Sequence, residues 1–450
     1  MKKILHSVGP ALIVAAVVLG PGSILTSSKV GAGIGLAGFP VIVGATILMI
    51  AMVKLAARLG AFYQKSLCEE LADRLGRPVA VGIGLVLFTL VALFQSSNNI
   101  ALIAGLEPML ESRADALAAE NSSGEPSAET SPTKATGSDS KARPNTAGTE
   151  REPGLPFAGR VLVLLLANSL VIGCLYFMRN LYRSIETGMK ILIGLMTLAF
   201  VVNFLVVFTQ PRGFEPVKQA GETDWLSLLG MIGTTFSVGG AFYQAYLVRE
   251  KGWGLKEVRE GTLDSVISIS LLGLITSIIL LSSWRVFCGH PDAIEFADVG
   301  DVARQLEPSF GFAALIIFCT GILAGGLSSF LVNALIGGTV MSDAIGAGHR
   351  LSDRGTLHLT SLALLVGMGV GVASLYQKEN TVFLITIAQA LTVLGIPALA
   401  AALIYLGTRP EAIEEKLVPS VVMCLAVVGF VISCGLAILT AYKVIGKIMG

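Results

Sequence analysis

The chain has 450 residues, of which 53% are apolar and 14% charged, and its mean hydropathy is +0.76. A soluble domain carries about 25% charged residues, so a chain this poor in charge cannot clothe soluble globules of its size. With 32 basic against 31 acidic residues it also lacks the positive excess that phosphate neutralisation by a nucleic-acid binder requires.

Apolar windows near the length that crosses a hydrocarbon core as a helix recur along the chain. Eleven transmembrane helices are predicted: Pro10–Gly35, Pro40–Leu59, Val79–Leu106, Gly159–Phe177, Met189–Thr209, Trp225–Val248, Ser265–Ser282, Gly311–Gly338, Leu357–Tyr376, Thr381–Leu406 and Val418–Val444. The first is read as a span and not a signal peptide, being too long, with only Lys2 and Lys3 ahead of it and no small-residue cleavage site. With the N-terminus inside, 18 Lys and Arg fall on inner segments and 14 on outer ones, six of the 14 in or beside one long loop. Long loops weigh little in this bias, so the expected topology is N-in and C-out in the plasma (inner) membrane.

That long loop, about Glu111 to Gly154, has no aromatic and no β-branched apolar residue, and it is expected to be disordered. The segment Cys288 to Glu307 is acidic (Asp292, Glu295, Asp298, Asp301, Glu307) and reads as a solvated face. Six cysteines are scattered with no CxxC and no Cys/His spacing, so neither a disulfide framework nor a zinc site is indicated. The chain carries no GxxxxGK[ST] loop, catalytic triad or HExxH, so neither primary active transport nor membrane-enzyme chemistry is expected of it. Its expected partners are a small inorganic ion and the lipid bilayer, with no nucleic acid, no obligatory protein partner and no resident cofactor.

Two spans carry helix breakers at mid-depth. Gly20-Pro21-Gly22-Ser23 lies in the first, followed by Thr26, Ser27, Ser28 and Lys29; Ser237-Val238-Gly239-Gly240 lies in the sixth, beside Thr234, Thr235, Tyr243 and Gln244. Proline removes a helical donor and glycine loosens the backbone, so both spans are expected to unwind there. Unwound backbone at membrane depth survives only where it is buried or lines a cavity. Interruptions five spans apart imply two five-helix repeats, residues 1–209 and 210–406, with 407–450 as an additional helix and a midplane binding site between the breaks.

With those breaks in view the chain resembles the Nramp family of proton-coupled divalent-metal transporters, which have the LeuT-type 5+5 inverted-repeat fold. The family motif Asp-Pro-Gly-Asn corresponds to Gly20-Pro21-Gly22-Ser23, and its Gly-Ala-Thr-Val-Met-Pro-His-Asn stretch corresponds to Gly233 through Gly240. Leu323-Ala324-Gly325-Gly326-Leu327-Ser328-Ser329 is close to the family's Leu-Ala-Ala-Gly-Gln-Ser-Ser, and Gln389 and Pro397 match a Gln and a Pro in the tenth helix. The family's metal ligands and proton-path acids do not carry over. By the resemblance, Gly20, Ser23 and Ser237 stand where an Asp, an Asn and a Met bind metal. Gln95 and Asn98 replace an Asp and a Glu, and Gln244 replaces a His.

A site without its carboxylate and thioether is expected to favour something other than a transition metal. Half-helix N-termini offer free N–H groups, and the main expectation is a small anion such as bicarbonate bound by Gly20, Gly22, Ser23, Thr26, Ser237, Gly239, Gly240 and Gln389. Na⁺ coupling is expected at a candidate site of Val18 and Leu19 carbonyls with the Ser328 and Ser329 hydroxyls. The alternative is a divalent cation, Mg²⁺ or Mn²⁺, carried with much of its water; a second alternative is a sensor that keeps the fold without transport.

Overall fold

The computed structural model describes residues 9–122, 155–178, 180–211, 214–215, 224–260, 262–290, 296, 300–303, 312–376 and 378–449, without the side chains of 111–122, 260, 262, 378–392 and 444–449. Every regular element among them is helical: α1 Pro10–Val18, α2 Pro21–Gly33, α3 Phe39–Phe62, α4 Leu67–Leu75, α5 Arg77–Ser122, α6 Phe157–Phe177, α7 Leu181–Thr209, α8 Trp225–Thr235, α9 Val238–Glu250, α10 Leu255–Glu260, α11 Thr262–Phe287, α12 Phe312–Ile345, α13 Arg354–Tyr376, α14 Lys378–Gly407, α15 Pro410–Glu414 and α16 Ser420–Met449, with a short 3₁₀ turn Gly35–Gly38 ahead of α3. Nine stretches are single spans by length and apolarity, and α1 with α2 forms a tenth span bent by 57°. The 30-residue α14 supplies the remaining predicted span, Thr381–Leu406.

Helix ends follow local chemistry. Proline opens α1, α2 and α15, where its missing N–H is no loss. Ser66 caps α4 in a reciprocal box with Glu69. The interior is set by small residues that let helices approach. Gly84, Gly105 and Gly337 put α5 against Ala344, Leu323 and α12 as a whole, while Gly60 of α3 lies over the Ala245 backbone of α9. A large aromatic and aliphatic core (Phe200, Phe236, Phe242, Tyr243, Phe330) surrounds the breaks.

The basic residues assigned to one side from sequence do gather at one end of the bundle. Arg249 donates to the carbonyls of Tyr63 (2.8 Å), Gln64 (2.6 Å) and Lys65 (2.6 Å), and Arg58 to that of Leu417 (2.6 Å). Arg259 pairs with Glu415 at 3.3 Å, and Lys251 and Lys190 both reach Glu186 at 3.0 Å. Lys2, Lys3 and Arg179 lie outside the described residues.

One boundary differs from expectation. α5 runs on past Pro108 to Ser122, so the expected loop does not begin at Glu111; residues 123–154 lie outside the described residues. The segment Glu111–Ser122 is rich in Ala and Glu, strong helix formers that extend an existing helix at little expense. Of the acidic outer residues only Asp301 is described; Asp292, Glu295, Asp298 and Glu307 are outside.

Candidate substrate site at two helix breaks

The first break is two residues long. α1 stops at Val18, Leu19 leaves the helical region (φ −77, ψ 44), and Gly20 is extended (φ −86, ψ −179) before α2 opens at Pro21. Gly20 is a close-approach position. A side chain there would fall on Ser329 Oγ, with Ser329 Cβ at 2.7 Å and Asn98 Oδ1 at 3.7 Å. Gly325 serves the partner surface, since a Cβ on it would meet the Leu19 carbonyl oxygen at 2.6 Å.

The second break falls earlier than the Gly-Gly pair implied. α8 ends at Thr235, Phe236 (ψ 61) and Ser237 (ψ 85) are non-helical, and α9 opens at Val238. Gly239 and Gly240 are therefore in the first turn of α9, not at its start. Their bareness admits Leu87, Val14 and Val17 against that turn, within 2.9–3.6 Å of where a Cβ would sit. Likewise Gly22 and Ser23 follow the opening residue of α2, because Pro21 takes the first position.

Between the breaks lies a cavity of about 60 Å³ lined by Val17, Val18, Thr234, Ser237, Gly239, Gly240 and Asn333 together with apolar residues of α5, α12 and α14. A water-sized sphere needs roughly 10–15 Å³ by this measure, so about four fit. Among the described residues no carboxylate lines it.

The orientation of the nearby amides follows from one backbone group. Gln95 Nε2 donates to the Phe330 carbonyl (2.6 Å), so Gln95 Oε1 is the atom that accepts from Asn98 Nδ2 (2.7 Å). A carbonyl can only accept, and the relay therefore leaves Asn98 Oδ1 facing Gly20, buried and without a hydrogen-bond partner among the described residues. Asn99 completes the same network, donating to Gln95 O (2.8 Å) and accepting from Asn168 (2.7 Å) on α6. The hydroxyl oxygens of Ser23, Ser27 and Thr235 are also buried without partners. Buried polar atoms are almost always satisfied. A hydroxyl can donate or accept, so the serines and the threonine favour neither sign of charge; Asn98 Oδ1 can only accept and marks a place for a positive charge or a hydrogen-bond donor.

The structure thus brings together Gly20, Gln95, Asn98, Ser329 and Asn333 at the first break; of these Asn333 lines the cavity, with Ser237, Gly239 and Gly240 of the second break, while Gly20, Gln95, Asn98 and Ser329 lie behind it. Thr26 is turned away, its hydroxyl spent on Gly22 O at 2.8 Å. Gln244 does not join Gln95 and Asn98; it lies in a separate, smaller cleft with Lys54, Arg58 and Asp264. Gln389 is on α14, but its side chain is outside the described residues. Ser328 donates to Ala16 O (3.0 Å) and Gly325 O (2.9 Å), and Ser329 accepts from Asn333 Nδ2 (2.9 Å), so both serines sit against the broken span near Val18 and Leu19. Lys29 is half-buried on α2.

Two residues escaped the sequence reading. Asn333 is four residues beyond Ser329 on the same face of α12, a spacing that could have revealed it. Asp264, 1% exposed, takes the Gly9 and Ala11 N–H groups at 2.9 and 3.1 Å and so closes the N-terminus of α1; a lone acid at the start of an apolar run was the available signal.

Two interrupted spans facing each other across buried, unsatisfied oxygens within an all-helical bundle define a membrane transporter of the LeuT-type fold. The backbone likeness to solved structures agrees. The Eremococcus coleocola manganese transporter, crystallised with an aromatic bis-isothiourea compound, superposes with a TM-score of 0.64 at 19% identity, covering 100% of this chain and 95% of that one. MhsT in complex with L-phenylalanine gives 0.56 at 15% identity, covering 95% and 98%. Within this fold the chain belongs to the Nramp family: residues 11–118 and 154–443 match the Natural resistance-associated macrophage protein-like sequence model.

Similar curated proteins are each called divalent metal cation transporter MntH. That of Verminephrobacter eiseniae is 20% identical over 90% of this chain and 81% of its own length, and that of Deinococcus radiodurans 23% over 91% and 83%. The Acidiphilium cryptum protein is 22% identical over 61% of this chain, a stretch that spans 63% of the relative, less than two thirds. These relatives overturn the expectation of a bicarbonate carrier. The physical reason lies in the relay: losing the family's carboxylate does not turn the site into an anion cradle, because the amides present an oxygen, not N–H groups, to Gly20.

Proposed function

We propose that the chain is a secondary transporter of divalent metal cations, accepting a hard ion such as Mg²⁺ or Mn²⁺ at the two helix breaks. The carrying observation is Asn98 Oδ1, held acceptor-outward by the Gln95–Phe330 relay and without a partner among the described residues beside Gly20. An anion placed there meets a carbonyl lone pair; a cation, or a water bound to one, meets a ligand. The divalent-cation relatives support the same reading.

With hydroxyl, amide and backbone oxygens but, among the described residues, no carboxylate lining the cavity, the site is not built to replace the whole hydration shell of a dication. Mg²⁺ gives up water reluctantly and is held through its waters, and the room for about four water-sized spheres suits an ion that keeps part of its shell. The missing thioether removes any preference for softer ions. The basic end that gathers Arg58, Arg249 and Arg259 is the inner face by the positive-inside bias, which puts the N-terminus inside and the C-terminus outside the plasma membrane. For the driving ion, the Val18 and Leu19 carbonyls with Ser328 and Ser329 form the candidate Na⁺ site.

Equilibrium titration of the detergent-purified protein tests the substrate class. Mg²⁺ or Mn²⁺ should bind saturably, and Asn98→Leu should weaken binding by roughly tenfold, the worth of one ligand bond near 1.4 kcal/mol. Saturable bicarbonate binding with no response to either cation would overturn the proposal.

A further inference from the structure

We propose that Glu69, Asp343 and His349 form a second divalent-metal site, suited to a first-row transition ion, at the basic end of the bundle and apart from the helix breaks. It does not depend on the substrate reading above. One donor atom from each of the three side chains lies within 4.8 Å of the other two, the one such trio of His, Cys, Asp or Glu among the described residues. An ion centred among three atoms that close is no more than about 2.8 Å from each, and side-chain adjustments below an ångström reach the 2.0–2.2 Å typical of N and O ligands.

Each donor is delivered by a different piece of structure. Glu69 sits in the first turn of α4, where only its Oε2 is used, accepting the Ser66 N–H at 3.3 Å. Asp343, 2% exposed in the last turn of α12, accepts from Ser66 Oγ (2.6 Å), Tyr246 OH (2.6 Å) and Cys68 N–H (3.3 Å). Those bonds fix the carboxylate as outer partners fix metal ligands and leave a lone pair on Oδ1. His349 follows a turn with left-handed Gly346 (φ 78) and Gly348 (φ 115), pinned by Gly346 N–H to Asp343 O (2.9 Å) and Ala347 N–H to Ser342 O (2.8 Å).

A helix cap alone accounts for Asp343, but not for the imidazole. No hydrogen bond or ion pair joins His349 to either carboxylate among the described residues, so the three groups are close without satisfying one another. Arg77, whose guanidinium reaches the Gly346 side of the turn, makes no ion pair there, and Arg74 is engaged by Glu70 at 3.1 Å. Two carboxylates with one imidazole suit Mn²⁺ or Zn²⁺; Mg²⁺, which takes oxygen and rarely nitrogen, is the poorer fit. Because Tyr246 belongs to α9, an ion here braces the second broken span against α4 and α12.

The test uses the full chain in detergent, freed of any affinity tag and titrated with Mn²⁺, with pulsed electron paramagnetic resonance reading nitrogen coordination. The wild type should show imidazole nitrogen coupling. His349→Ala should abolish it and weaken Mn²⁺ binding at least ~10-fold, while Asn98→Leu should leave the nitrogen signal intact. Glu69→Gln, which keeps the α4 capping box and hence the fold, should weaken binding as well. An unchanged isotherm and signal in both His349→Ala and Glu69→Gln would overturn the site, as would a nitrogen signal lost in Asn98→Leu and kept in His349→Ala.

Discussion

Asn98→Asp separates a cation site from an anion site by the sign of its effect. The substitution replaces an amide whose oxygen faces Gly20, 3.7 Å from where a Cβ on that glycine would lie, with a carboxylate of nearly the same shape. A carboxylate about 5 Å from a dication at an effective dielectric near 20 gains about 7 kcal/mol of Coulomb energy. Burying the new charge costs several kcal/mol and leaving Gln95 Oε1 without its Asn98 donor about 1–3 kcal/mol, but both fall on folding, in the empty and the loaded site alike, and lower stability rather than affinity. What the water lost by carboxylate and ion leaves of the Coulomb gain favours binding, so divalent affinity should rise about tenfold or more. Isothermal titration with Mg²⁺ and Mn²⁺, alongside a thermal unfolding curve to register the stability loss, reads both halves of the effect. Divalent binding that weakens while the variant remains folded would refute the reasoning, because a cation site cannot lose affinity by gaining a nearby negative charge.

Three further outcomes follow from the packing. Gly20→Ala should impair transport and destabilise by about 1–3 kcal/mol through overlap with Ser329, and Ser329→Gly in the same chain should restore stability; failure of that rescue would mean that the close approach is not what constrains position 20. Asp264→Ala strips two buried N–H groups of their acceptor and should lower stability by about 3 kcal/mol or more while loosening α1, visible as increased labelling of a cysteine placed at Val14; unchanged labelling would show that α1 is held by other contacts. Replacing Ser328 and Ser329 together by Ala should remove any sodium dependence of uptake, and sodium dependence that survives would discard the Val18–Leu19–Ser328–Ser329 site.

The first break was legible because Pro21 lacks an N–H and cannot continue the ladder. The second was misplaced. Gly239 and Gly240 carry the breaker signature, yet the chain unwinds at Phe236 and Ser237, where the Phe236 ring is buried against Gly429 of α16 and tertiary packing sets the dihedral. Gln95 and Asn98 could be named from sequence as polar residues on a central helix, but an amide is both donor and acceptor. Which face it turns to the site depends on the Phe330 carbonyl, far away in sequence, and that orientation argues against the anion inferred from the half-helix N-termini and the lost carboxylate. Gln244, which the resemblance places at a family His, stands apart from them for a simpler reason. It lies seven residues past Ser237, about 10 Å along α9, which carries it out of the cavity and into the cleft with Asp264.

Flux into proteoliposomes tests the central claim most directly. Purified protein reconstituted in sealed vesicles should accumulate Mg²⁺ or Mn²⁺ saturably, and more tightly with Asn98→Asp. Accumulation of labelled bicarbonate with no movement of either cation, and its loss on Asn98→Asp, would contradict the account.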